Sequence, residues 1–190
     1  DHGHNTTLPS NFRKINVHCV FVVNHDDRRK SRLVAGGHLT ETPIDSVYSS
    51  VVSLWGVRIC LFLAELNELD FWVTDVGNAY LESNMLEAVY IIAVQEFRSF
   101  GLEGHTLIIV KALYGLKSSG LHWWEVFADV LCDMGFFPSK AEKDIWMRDK
   151  GDHYEYIVVY VDELGIASKD PQGIIDLFLN KYTLLLKGTG

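Results

Sequence analysis

Apolar positions along the chain come in short runs broken by polar punctuation, and the spacing within each run sets the element it predicts. "VHCVFVVN" (17–24) reads as a strand, "HDDRR" as a turn and "KSRLVAG" as a second strand, which together make a hairpin. From Asp45 to Asn67, Val47, Val51, Leu54, Ile59, Leu63 and Leu66 recur broadly at helical spacing, with Gly56 marking a break or a close contact. "LDFWVTDV" is a strand of β-favouring residues ending at Asp75, and "GNAYLES" continues as a turn into a short helix. "AVYIIAV" and "TLIIVKALYG" predict further strands. "SSGLHWWEVFADVLCDMGF" is amphipathic: Trp124, Phe127, Leu131 and Met134 share a face, and Gly135 is the stop signal. Core packing suits Trp124, while Trp123 stays open between packing and a base-stacking platform. "IWMRD" and "YEYIVVYV" predict strands, and "SKDPQGIIDLFLNKY" predicts a helix with Asp170 as its cap and Pro171 at its first position. Residues 1–11 are polar and read as a frayed tail. With no repeat, low-complexity tract or linker, residues 1–190 read as a single α+β domain without strict β-α alternation.

One stretch breaks its local rules. In "YVDELGIA" (160–167) a strand-like apolar run stops at Asp162-Glu163 and resumes at Leu164 and Ile166. This predicts a hairpin with its turn on the two carboxylates. Tight hairpin turns favour Asn-Gly or Asp-Gly, because the backbone needs positive φ there. Two adjacent like charges are a poor substitute, and local rules broken in this way mark function.

Composition narrows the field. The chain has 190 residues, enough for a real core, and its apolar and aromatic content is that of a folded protein. The net charge of −8 argues against a surface coated with positive charge for nucleic acid. A local basic strip remains compatible with it, because phosphate contacts act within about a Debye length, ~8–10 Å. Cys19, Cys60 and Cys132 are far apart and form no C-x-x-C, which points to free thiols in a reducing compartment. His2 and His4 near the start are incidental rather than a metal site. No signal peptide is evident, and stretches such as "ICLFLA" are too short to span a bilayer, so an intracellular location without a membrane partner is expected. The absence of an initiator Met and the loop-like "KGTG" end give the chain the look of a piece cut from a longer polypeptide.

Two sets of residues are candidates for chemistry. Arg28, Arg29, Lys30 and Arg32 lie on the predicted hairpin and serve either as a charged edge that prevents aggregation or as a phosphate grip; taken locally, the charged edge is favoured. Asp75 and Asp162 each end an apolar strand, with Glu163 beside the second. If those strands are neighbours, the carboxylates cluster and repel unless a cation sits between them. Mg²⁺ fits such a site, bound by a few carboxylates and substrate phosphates. Two ions about 3.5–4 Å apart would stabilise the attacking and leaving oxygens of a phosphoryl transfer.

Five stretches in order, "KSRLVAGGH", "TDVGNAYLES", "KALYGLKSSGLHWWE", "KAEKDIW" and "YVDELGIASKD", resemble the reverse transcriptase of copia-type LTR retrotransposon Pol polyproteins. That family carries K-A-R-L-V-A-x-G, D-V-x-x-A-[FY]-L, S-L-Y-G-L-K-Q-x-x-x-x-W, S-D-P-x-[LI]-[FWY] and Y-V-D-D in the same order. The resemblance runs from about Phe12 to the C-terminus. It implies the fingers and palm of a right-hand polymerase, an antiparallel palm sheet backed by helices, with the thumb absent. It implies RNA-directed DNA synthesis with two Mg²⁺ ions, or Mn²⁺ in their place. The implied partners are an RNA or DNA template with its primer, deoxynucleoside triphosphates, and the remaining Pol domains (thumb, RNase H, integrase), in a cytoplasmic particle or the nucleus.

Roles follow position by position from that resemblance. Asp75 and Asp162 match the metal-binding aspartates, and Val76 matches the neighbour whose carbonyl faces metal. Glu163 completes the catalytic carboxylates. Tyr80 matches the aromatic under the incoming sugar that excludes a 2′-hydroxyl. Tyr114, Gly115 and Lys117 match the segment lining nucleotide and template. Lys30 and Arg32 match the strand whose cations hold the triphosphate, which reverses the preference for a plain charged edge.

The departures are specific. Y-V-D-D is Y-V-D-E here, so the last carboxylate is displaced by one methylene. Lys143 stands where the family has proline, Ser118-Ser119-Gly120 where it has Gln-Ala-Pro, and Gly36 where arginine is common. Such changes fit either a divergent active polymerase or a remnant that at most binds nucleic acid. An unrelated phosphohydrolase using the same carboxylates would leave Tyr80 and "LYGLK" without a role.

Overall fold

The computed structural model describes residues 1–4, 6–23, 27, 29–36, 51–85 and 87–188. Expectations resting on Arg28, on the turn at His25 and Asp26 and on a helix beginning at Asp45 and Val47 lie outside the described residues. In chain order the strands are β1 (Arg13–Lys14), β2 (Val17–Val23), β3 (Arg29–Ala35), β4 (Asp70–Val76), β5 (Val89–Ile92), β6 (Thr106–Ile108), β7 (Phe137–Pro138), β8 (Ile145–Asp149), β9 (Tyr154–Tyr160), β10 (Glu163–Ser168) and β11 (Leu186–Lys187). The helices are α1 (Leu54–Leu66), α2 (Ala79–Glu82), α3 (Ser119–Asp133) and α4 (Pro171–Asn180), with a 3₁₀ turn over Gln95–Phe100. The fold is mixed α and β, as the sequence predicts. No helix among the described residues is long and apolar enough to cross a membrane.

The chain falls into two compact units, the first comprising Asp1–Val47 with Tyr80–His122 and the second Tyr48–Ala79 with Trp123–Gly190. In the first, β5 lies between β1, which it pairs in parallel, and β6, which it pairs antiparallel. The β2–β3 hairpin is a separate antiparallel pair, with Val20 opposite Arg32 and Val22 opposite Lys30. Ile15, Val17, Ala35, Val89, Ile91 and Leu116 form the core of this unit. The residues read as a tail run beside β6: His4 bridges to His105, and the His2 amide donates to the Thr106 carbonyl at 3.0 Å. "TLIIVKALYG" is strand only over Thr106–Ile108. Beyond it the chain makes isolated bridges, Lys111 to Asn84 and Tyr114 to Val34.

The second unit is built on a six-stranded sheet in the order β11-β4-β10-β9-β8-β7, antiparallel at every pairing. Strand alternation gives this sheet two faces. On one, Cys60 and Ala64 of α1 pack with Tyr156, Val158 and Ala167. Leu164, Ile166, Ile157 and Val159 point the other way and are equally buried. α4 packs over β10 and β4, and its Phe178 meets Phe127 of α3 at 5.7 Å, so this helix pair covers the second face.

The α1 helix starts later than its apolar spacing suggests. Ser53 caps it, accepting from the Gly56 amide at 3.0 Å. Val51 and Val52 are extended instead and run beside the end of β9. Along α3 and just past its end the buried stripe is Trp123, Phe127, Leu131 and Met134, and Trp124 is only half-buried. Trp123 is therefore the core residue, the reverse of the expectation for Trp124. At α4, Asp170 caps as predicted, accepting from the Gly173 amide at 2.9 Å with Pro171 at the first turn.

Candidate active site

Strand β4 carries Asp75 into the sheet between β10 and β11. Glu163 of β10 stands directly opposite Asp75 on one side and Lys187 of β11 on the other. Tyr160 of β9 is opposite Glu163 in turn. Directly opposed residues share a face. One row across the sheet therefore reads Tyr160, Glu163, Asp75, Lys187, on the same face as α1. Opposed Cβ atoms lie roughly 4.5–5.5 Å apart, and like charges so placed are unfavourable.

The hairpin turn differs from the expected one. Because Tyr160 pairs with Glu163, the turn consists of Val161 and Asp162, and Glu163 is the first residue of β10. Val161 has φ of +58°. Positive φ at the first central position is the mark of a type II′ turn, which glycine normally occupies, and for a β-branched residue it is a strained conformation. Two contacts hold the turn. The buried Trp123 indole donates to the Val161 carbonyl at 2.8 Å, and the Val76 amide donates to the Asp162 carbonyl at 2.7 Å. Trp123 is fixed in turn by stacking on Phe127, with 5.1 Å between ring centroids. Asp162 thus sits half-buried at the strand end, next to the Asp75–Glu163 pair.

β4 stops after Val76 because the backbone turns away. The Gly77 amide donates to the Leu185 carbonyl at 2.6 Å, and Asn78 takes φ of +58°. Lys187 leans across Gly77, where an added Cβ would lie 3.0 Å from its Nζ. Lys187 is the residue that sequence reasoning missed. A single lysine in a loop-like terminal segment carries no pattern, and only the pairing of β11 with β4 brings it beside Asp75.

The candidate donors from the sequence are all oxygen: the opposed carboxylates of Asp75 and Glu163, that of Asp162 at the adjoining turn, and the Val76 carbonyl. That suits a hard divalent cation. Among the described residues, no three His, Cys, Asp or Glu side chains converge as a ready cation cage. The residues fit an ion that takes part of its coordination from a substrate, as Mg²⁺ does with phosphates.

In the first unit, β3 places Lys30 and Arg32 on one face, two residues apart. The Arg32 guanidinium lies 5.3 Å from the centroid of the Tyr114 ring, and Tyr114 meets Tyr80 at 4.8 Å. The Ala35 amide donates to the Tyr114 carbonyl at 2.7 Å. Gly115 follows with φ of +91°, and a Cβ there would lie 2.2 Å from the Ala35 oxygen. Only glycine allows this approach. Arg32, Tyr80, Tyr114 and Gly115, which are scattered in sequence, are thereby gathered. Lys117 follows them half-buried, and Lys30 is exposed.

The family model described as reverse transcriptase (RNA-dependent DNA polymerase) matches residues 4–184. Among curated proteins, the Retrovirus-related Pol polyprotein from transposon RE1 of Arabidopsis thaliana is 29% identical over 147 residues, 76% of this chain and 10% of that protein. That from transposon RE2 of the same plant is 28% identical over 146 residues, 76% of this chain and 10% of that protein. That from transposon TNT 1-94 of Nicotiana tabacum is 27% identical over 176 residues, 88% of this chain and 13% of that protein. The chain therefore spans about a tenth of the length of these relatives. A match over nearly all of the chain, together with five motifs in order, places it: the chain belongs to the reverse transcriptase (RNA-dependent DNA polymerase) family, as found in the Pol polyproteins of copia-type retrotransposons.

Proposed function

We propose that this chain is the polymerase centre of a copia-type Pol polyprotein and extends a DNA primer on an RNA or DNA template. In this reading the six-stranded sheet is the palm and the β2–β3 hairpin belongs to the fingers. The observation that carries it is the register that sets Glu163 against Asp75, with Asp162 beside them on a strained turn. Like charges opposed in this way cost stability and call for a cation.

Asp75, Asp162 and the Val76 carbonyl would hold Mg²⁺, and Glu163 would support them from the opposite strand. Bound metal would neutralise charge on the transferring phosphoryl group and on the primer 3′-oxygen. The chain's own residues bind and orient. Lys30 and Arg32 offer cations to the triphosphate, Arg32 held against Tyr114. Tyr80, packed on Tyr114, offers a ring face to the sugar and excludes a 2′-hydroxyl. Gly115 lets the segment carrying Tyr114 and Lys117 lie against the end of β3. Lys187 balances part of the charge at Asp75.

Single-nucleotide incorporation on a primer–template at fixed Mg²⁺ tests the reading, in the polypeptide extended downstream of this chain. Asp162→Asn is expected to abolish incorporation, and Glu163→Asp to raise it. Misplacing reacting groups by about 1 Å costs on the order of a hundredfold, and the shorter side chain restores the family's carboxylate position without changing charge. If parent and Glu163→Asp are both inert while fold and primer–template binding persist, the chain is a remnant. The damage would then be sought first at Gly36, Gly120 and Lys143.

A further inference from the structure

Helix α1 is apolar on two sides. Its Gly56, Cys60 and Ala64 are buried, and Val57 and Leu63 pack against the same core. On the other side Trp55, Ile59, Phe62 and Leu66 are 70%, 53%, 66% and 65% exposed. A helix apolar all round is one that is buried in use. No other part of the described chain covers this stripe. Its spacing of four, three and four residues is the d-a-d-a seam of a heptad. Arg58 and Glu65 both fall at the g position of that heptad, along one flank, and both are exposed.

We propose that α1 docks antiparallel on α1 of a second copy of this chain. The stripe is self-complementary about a two-fold axis between Ile59 and Phe62, the symmetry an isologous dimer requires. In that register Trp55 meets Leu66 of the second copy and Ile59 meets its Phe62, so each layer pairs an aromatic with an aliphatic side chain. Antiparallel pairing sets g opposite g, bringing Arg58 of each copy to Glu65 of the other. In the single chain the Arg58 guanidinium rests 5.3 Å from the Trp55 ring centroid, beside the seam it would flank.

The charge pattern selects this occupant. A helix lying on a membrane carries many basic residues on its polar face, whereas α1 carries a single Arg with Glu65 seven positions on. An apolar segment of a different protein would not account for opposite charges set one heptad apart on the same flank of the seam. The four stripe residues offer on the order of 500 Å² of apolar surface, and a standard interface buries about 800 Å² per partner. Leu54 and Leu61, 64% and 44% exposed, add to the edge of the patch. The patch is smaller than a standard interface, so the association is reversible and concentration-dependent.

Sedimentation velocity from about 1 to about 200 µM, the range in which a reversible dimer of micromolar affinity forms, is the test. The mass is expected to rise with concentration from 21.6 kDa toward twice that value. Phe62→Glu should leave a monomer throughout, with an unchanged circular dichroism spectrum, because Phe62 is exposed in the single chain. Arg58→Glu and Glu65→Arg should each weaken association by about five- to tenfold, since exposed ion pairs are modest and each is present twice by symmetry. The double swap should restore it. A monomer at every concentration overturns the proposal. So does a dimer indifferent to Phe62→Glu, or a double swap that fails to rescue the single ones.

Discussion

Replacing Gly115 with alanine would place a Cβ 2.2 Å from the Ala35 carbonyl oxygen and 2.8 Å from Val34 Cγ1. The first contact is with backbone, so no side-chain rotation relieves it, and the segments must part by about 1 Å to reach ordinary van der Waals distance. Parting them stretches the Ala35-to-Tyr114 hydrogen bond, which is 2.7 Å long. A bond lost with one partner left buried costs about 1–3 kcal/mol. The φ of +91° adds a separate penalty for any L side chain, of roughly 1–2 kcal/mol. The expected loss for Gly115→Ala is about 3 kcal/mol, which at a urea slope near 2 kcal/mol/M lowers the midpoint by about 1.5 M. Gly101 is the control, because it has φ of +71° and nothing within 4 Å of an added Cβ. Gly101→Ala should cost only the conformational part, about 1–2 kcal/mol. Urea denaturation followed by circular dichroism reads both. Equal losses for the two variants would refute the close approach of the Tyr114–Gly115 segment to β3. With it would fall the argument that Gly115 positions Tyr114 beside Arg32.

At Val161, substitution by glycine removes the strain of a β-branched residue at φ +58°. It also loses a half-buried side chain and increases the freedom of the unfolded chain, so the net change should stay within about 1 kcal/mol. Val159→Gly, at a buried position of ordinary strand geometry, should cost several times as much by urea denaturation; similar losses at both sites would remove the strain argument. Burial, helped by Glu142, pushes the Cys60 thiol up to about 11, so at pH 8 its thiolate is scarce. A thiol reagent at pH 8 should label the exposed Cys132 rapidly and Cys60 only after denaturation, and rapid native-state labelling of Cys60 would contradict the α1 packing.

Much of the second unit was legible from local pattern. "LDFWVTDV", "IWMRD" and "YEYIVVYV" become β4, β8 and β9 because each is a β-favouring run bounded by turn residues. Asp170 and Pro171 announce α4 for equally local reasons. Periodicity could not choose between Trp123 and Trp124, because both are compatible with Phe127 at a spacing of four or three residues. The choice falls to Trp123, whose indole reaches the Val161 carbonyl, a contact between residues 38 apart in sequence. The late start of α1 has the same kind of cause: Val51 and Val52 continue the apolar spacing, yet the end of β9 claims their backbone. The pairing of Asp75 with both Glu163 and Lys187 depends on strand order, which no window of sequence contains.

The misplaced turn is the most informative of these differences. Local chemistry puts the turn on Asp162 and Glu163, since charged residues favour the tip and Val161 favours a strand. The structure does the opposite, giving the strained position to valine and returning Glu163 to the ladder. Had the turn fallen on the two acids, Glu163 would leave the ladder and Asp75 would face no carboxylate across it. With the turn one residue earlier, the pleat fixes the direction of the Glu163 side chain, onto the face that Asp75 occupies. Two unfavourable features, a left-handed valine and a pair of opposed carboxylates, thus arise from one choice of register. Neither serves the core, because both lie at the open end of the sheet, where Tyr160 and Glu163 are exposed. The stabilising contacts around them are of a different kind: a buried indole on the Val161 carbonyl, and the Val76 amide on the Asp162 carbonyl. A fold selected for stability alone would relieve the opposed charges. Strain held in place by a buried tryptophan is what the proposed polymerase centre would need, a sheet end that presents carboxylates rigidly to a cation arriving with its substrate.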